Sequence, residues 1–77
     1  MNEQSIYVEI GRCVLEERKA LGFTQTDLAK EVGILRTSIA NIEAGRQRLP
    51  IYMLYRIATA LGVSVDDLLP RQEKRSV

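Results

Sequence analysis

Four glycines, Gly22, Gly33, Gly45 and Gly62, cut the chain at intervals of helix length, and the apolar residues between them recur at every third or fourth position. A half-buried strand alternates at every second residue, so this spacing argues against a sheet and predicts a set of short helices. The first helix, from about Ser5 to Leu21, sets Ile6, Ile10, Val14 and Leu21 on one face, and Gly22 supplies a left-handed stop. The second opens on a compact start signal. Thr24 caps it, Asp27 reaches back toward the Thr24 amide, and Phe23 and Leu28 form a hydrophobic staple.

A third helix is predicted from about Arg36 to Ala44, with Ile39 and Ile42 inward and Gly45 at its end. Pro50 suits the first turn of a fourth, where its missing N–H costs little. Its core stripe reads Ile51, Leu54, Ile57, Ala58 and Leu61, closed by Gly62. The start signal repeats with Ser64 as cap, Asp67 facing back and Val63 against Leu68, and Pro70 ends a very short fifth helix. The expected fold is all-α with five helices. With 77 residues there is room for one core only, so residues 1–70 are expected to form a single domain and 71–77 a polar, frayed tail.

Composition excludes several classes of function. There is no His and only one Cys, which rules out a zinc site, a disulfide framework and a Cys–His pair. Cys13, near the inner side of the first helix, reads as a small buried hydrophobe. Glu16-Glu17 and Asp66-Asp67 are neighbours in sequence, so the members of each pair diverge around a helix and make no catalytic couple. Nothing resembles a phosphate loop. An enzyme is not expected, and no cofactor is implied. No apolar run approaches the roughly 18–20 residues of a membrane helix, and the N-terminus lacks a signal-peptide pattern, which gives a cytoplasmic location by default.

The formal charge of +1 selects no partner, but its distribution is uneven. Between residues 36 and 56 there are four arginines (Arg36, Arg46, Arg48, Arg56) against Glu43 alone, while the rest of the chain holds seven bases and nine acids. One electropositive face is the functional reading, and scatter over a solvated surface is the bland one. Two short helices joined across Gly33, the second followed by a basic loop, are the arrangement that DNA-reading proteins use. A helix fits the major groove, and the N-terminus of the helix before it offers free amides to a phosphate. Any small helical bundle contains such corners, so the pattern alone does not decide.

The stretch Gly22-Phe23-Thr24-Gln25-Thr26-Asp27-Leu28-Ala29, then Val32-Gly33, then Ser38-Ile39-Ala40-Asn41-Ile42-Glu43-Ala44-Gly45-Arg46, resembles the λ-repressor/Cro-like (XRE-type) helix-turn-helix family. Ile57 to Leu69 is similar to the last two helices of that family, and the likeness spans roughly residues 10 to 69. The resemblance implies a five-helix domain that binds double-stranded DNA, commonly as a homodimer. It would act as a repressor, a restriction–modification controller, an antitoxin or a developmental regulator.

By the same resemblance, Arg36, Thr37, Ser38 and Asn41 of the third helix would face the major groove. There Arg suits guanine, Asn suits adenine, and Thr reaches a base or a thymine methyl, with Ser38 alternatively on a phosphate. Thr24 and Gln25 at the head of the second helix, and Arg46, Gln47 and Arg48 in the following loop, would attach to phosphates. Arg18 and Glu43 would form a structural ion pair between the first and third helices.

Two features depart from the family pattern. Leu35 stands where relatives place a capping Thr, Ser or Asp. Either another group satisfies the amides, or Ile34 and Leu35 gain from being apolar, against a thymine methyl or another chain, or both pack partly in the core. Tyr52, Met53 and Tyr55 lie off the core stripe of the fourth helix. With Val65 they are the expected homodimer interface, isolated surface residues being the alternative. The competing reading is an antitoxin whose main partner is another protein. The few residues after Pro70 leave little length for wrapping one.

Overall fold

The computed structural model describes residues 2–70, and the expected tail, residues 71–77, lies outside the described residues. Four α-helices follow in order: α1 (Glu3–Leu21), α2 (Gln25–Val32), α3 (Arg36–Glu43) and α4 (Ile51–Leu61). A 3-10 turn, Val65–Leu68, follows them, and there is no strand among the described residues. No helix among these residues is long and apolar enough to cross a membrane.

Local chemistry accounts for most boundaries. Asn2 caps α1, its Oδ1 accepting from the Ser5 amide at 2.8 Å, so the helix begins two residues before the expected Ser5. The capping box of α2 is complete: Thr24 Oγ1 accepts from the Asp27 amide at 3.0 Å, and Asp27 Oδ2 accepts from the Thr24 amide at 2.9 Å. Gly33 then takes φ +85°, a left-handed conformation that L side chains rarely adopt. Its amide and that of Ile34 both donate to the Ala29 carbonyl, closing α2 and turning the chain into α3.

The fifth element is a 3-10 turn and not the expected helix. Asp67 does face back, accepting from the amide and hydroxyl of Ser64 at 3.0 and 3.1 Å. Only four residues form the turn before the chain extends at Leu69 and meets Pro70, and the residue before a proline disfavours the α conformation.

α1 packs across α3, α4 and the 3-10 turn, while α2 packs on α3 and α4. The core holds Ile10 and Val14 of α1, Leu28, Ala29 and Val32 of α2, Ile39 and Ile42 of α3, and Leu54, Ile57, Ala58 and Leu61 of α4. Leu68 closes it from below.

Two expected core residues lie outside. Leu21 is exposed because the buried stripe of α1 steps by four, from Ile10 through Val14 to Arg18, and does not reach the last residue. Ile51, the first residue of α4, is 65% exposed, and Leu49 from the preceding loop is buried.

Candidate nucleic-acid interface

The outer side of α3 is built by its own periodicity. Ile39 and Ile42 are buried, while Arg36 and Thr37 are exposed and Ser38 and Asn41 half-exposed. Arg36 is held in place: its Nη1 donates to Gln25 Oε1 at 3.0 Å. The Gln25 amide donates in turn to Glu43 Oε1 at 3.0 Å.

Glu43 is the anchor of this chain of contacts. Arg18 Nε donates to its Oε2 at 2.6 Å and Nη2 to its Oε1 at 3.1 Å, while Nη1 donates to the Phe23 carbonyl at 2.8 Å. Both partners are inside, their side chains 10% and 5% exposed. Arg18 therefore ties α1 to α3 and to the entry of α2, and Gln25 carries that rigidity out to the first residue of α3. The structure thus brings Arg18, Gln25, Arg36 and Glu43 into one network.

The head of α2 is less open to an anion than its backbone alone suggests. The amides of Thr24 and Asp27 are taken by the capping box, which also sets a carboxylate there. Hydrogen bonds from the Thr24 backbone and hydroxyl hold the Asp27 carboxyl below its usual value of 3.8. Thr24 is exposed, with its hydroxyl accepting from the Asp27 amide.

The arginines that suggested one electropositive face divide. Arg46 and Gln47 are exposed in the loop after α3. Arg48 is exposed too, but its Nη2 lies 3.0–3.1 Å from the Glu3 carboxylate at the start of α1. Arg56 leaves the set: its Nη2 donates to the Val32 carbonyl, satisfying the C-terminal end of α2. The Glu3 contact spans 45 residues of sequence, and no local pattern announces it.

Leu35 is the N-cap of α3, and no side-chain hydrogen bond caps the helix. A Ser, Thr, Asp or Asn there would add about 1 kcal/mol. Ile34 and Leu35 separate in the structure. Ile34 packs against the core, whereas Leu35 is 72% exposed, so the alternative in which both pack partly in the core fails for Leu35.

The expected interface residues also divide. Tyr52 and Tyr55 are exposed, but Met53 is half-buried and packs against the core, because it precedes the inward Leu54 and its side chain lies along the edge of the buried stripe. Ile51 takes its place outside. Ile51 and Tyr55, one turn apart, line a groove with Val65 and Leu69 of the last segment. Cys13 is half-buried, and burial pushes its thiol above the usual 9.0.

Comparison with known proteins places this geometry in context. Residues 14–68 match the family described as Helix-turn-helix. An HTH-type transcriptional regulator of Methanothermobacter thermautotrophicus is 45% identical over 49 residues, covering 64% of this chain and 71% of the relative. The CTXphi transcriptional repressor RstR of Vibrio cholerae is 36% identical over 64 residues, covering 83% of this chain and 57% of its own length. Among solved structures, the restriction–modification controller protein C.AhdI from Aeromonas hydrophila superposes with a TM-score of 0.78 at 29% identity. That match covers 80% of this chain and 94% of the controller.

Proposed function

The chain belongs to the XRE-type helix-turn-helix family, and from that premise we propose that it is a transcriptional regulator of the repressor or controller type. It acts in the cytoplasm and binds double-stranded DNA as a homodimer on a two-fold-related operator. Residues 1–70 form the DNA-binding unit, with α2 and α3 as its helix-turn-helix. α3 enters the major groove, where Arg36, Thr37, Ser38 and Asn41 meet base edges. Thr24, Gln25, Arg46, Gln47 and Arg48 hold the phosphates on either side.

The observation that carries this reading is the open outer side of α3. Its first two residues are exposed, and Arg36 is clamped by Gln25 onto a buried ion pair. A guanidinium held before the ligand arrives loses less entropy on binding. The names of the relatives, a phage repressor and a restriction–modification controller, support regulation as the purpose.

A single small module makes few contacts, so two linked copies are needed for useful affinity. The groove of Ile51, Tyr55, Val65 and Leu69 is the surface proposed for pairing, with Tyr52 beside it.

Selection from a pool of random duplexes, read by sequencing, tests the reading. The expected product is a two-fold-related site with half-site centres about one helical turn apart. A pool left unenriched after repeated rounds at low salt would end it.

A further inference from the structure

We infer that Leu35 reads a thymine by contact with its C5-methyl group, and so sets sequence preference beside the base that Arg36 meets. The inference rests on the DNA-binding reading and deepens it. A lone exposed leucine on a protein surface needs no explanation in itself. Leu35 is set apart by its place. It occupies the N-cap of α3, where a small polar side chain would stabilise the helix, and its side chain caps nothing. It is also the most exposed large hydrophobic residue of the described chain.

Its surroundings indicate the kind of group it meets. Ile34 turns into the core, and the next two residues, Arg36 and Thr37, are exposed hydrogen-bonding side chains. Leu35 does not line the groove of Ile51, Tyr55, Val65 and Leu69, so it is no extension of that apolar patch. An apolar protein surface laid over Leu35 would strip water from Arg36 and Thr37 without replacing their hydrogen bonds. The major-groove edge of DNA presents the matching mixture. Thymine sets a methyl group beside the O4 acceptor, and guanine offers O6 and N7 to an arginine. One apolar side chain among donors at the head of a groove-entering helix complements that edge.

Uracil supplies the test, because it lacks the methyl group and keeps the pairing of thymine. In the duplex recovered by selection, each thymine is replaced in turn by uracil. Binding is then measured for the wild type, Leu35→Ser and Leu35→Met. The wild type loses about fourfold in affinity at one position per half-site, the value for removing one buried methyl group. Leu35→Ser binds thymine and uracil duplexes alike and melts at a higher temperature, since serine restores the cap. Leu35→Met keeps the discrimination.

Uracil tolerated by the wild type at every position, or sensitivity retained by Leu35→Ser, would overturn the assignment while leaving salt-dependent DNA binding intact. Failure to recover any duplex would instead remove the DNA reading and this inference with it. A change in sedimenting mass for Leu35→Ser, with uracil sensitivity unaltered, would assign the residue to a protein contact and overturn the proposal.

Discussion

Arg36 Nη1 donates to Gln25 Oε1 at 3.0 Å, joining the first residue of α3 to the first residue of α2. The other end of the Gln25 amide donates to Glu43 Oε1, also at 3.0 Å. Only one orientation of the amide satisfies both neighbours, since the flipped one sets oxygen against carboxylate. Gln25→Ala removes both bonds and frees Arg36. Stability should fall by about 1–2 kcal/mol. Discrimination among duplexes that differ at the base proposed for Arg36 should narrow, while the salt dependence falls by no more than the one phosphate proposed for Gln25 itself. Binding to single-base variants of the selected site checks this. Unchanged discrimination would mean that Gln25 does not position Arg36.

The ion pair beneath is the more sensitive point for folding. Glu43→Ala leaves the Arg18 guanidinium buried without its carboxylate, at an expected cost of about 3–5 kcal/mol. Replacing both, as Arg18→Met with Glu43→Leu, should cost much less than Glu43→Ala alone, because no buried charge is then orphaned. Urea unfolding midpoints of the single and double variants compare the two. Equal losses would show that the pair is not effectively desolvated.

Arg46 and Arg48 should differ, although both lie in the same loop. Arg46→Ala is expected to weaken binding to all duplexes and to reduce the slope of log affinity against log salt by about one unit. The Glu3 carboxylate offsets the charge of Arg48, so Arg48→Ala should weaken binding less. Glu3→Gln should tighten binding to every duplex by releasing Arg48. The exposed pair contributes little to folding, so the melting temperature should hardly move. Weaker binding by Glu3→Gln would show that Arg48 uses Glu3 as a support and not as a competitor.

Ile51 is the unexpected member of the apolar patch, and Ile51→Glu with Tyr55→Ala tests pairing there. Both side chains are well exposed, so the variant should stay folded by circular dichroism while its sedimenting mass falls toward that of one chain. A mass distribution identical to the wild type would place the interface elsewhere.

Acid should loosen the head of α2. The folded pKa of Asp27 lies below its ordinary 3.8 because Thr24 donates to the carboxylate. The stability it contributes is therefore fully present above pH 3.8 and is lost as the pH falls through the lowered value. The gap in melting temperature between wild type and Asp27→Ala should be constant above that pH and close below it. A gap that persists into strong acid would assign the difference to packing.

The parts of this molecule that follow local rules were legible before the fold was. Thr24 and Asp27 lie three residues apart, a spacing that brings side chain and backbone together within one helical turn, and both bonds form. Gly33 ends α2 because a left-handed residue is cheapest as glycine, whatever surrounds it. The hydrophobic period likewise turned Ile39 and Ile42 inward, while Arg36 and Thr37 are exposed. The same rules failed where a helix ends or a charge is spent at a distance. Ile51 fits the period and still lies outside as the first residue of α4, while Leu21 stands past Arg18, the last buried position of α1.

Gly11 shows why the remainder could only be decided in three dimensions. In the sequence it is an ordinary blemish in a helix, a residue that weakens α1. In the fold, a Cβ at this position would lie 2.3 Å from the Ile42 carbonyl oxygen and 2.7 Å from that of Glu43. α1 and α3 meet backbone to backbone there, and that approach sets Arg18 against Glu43. The pairings of Glu3 with Arg48 and of Arg56 with the Val32 carbonyl likewise join residues far apart in the sequence. Caps and periods act over one or two turns and are written in neighbouring residues. Which charges remain free to meet a ligand depends on how helices cross, and that is set by the packing of the whole core.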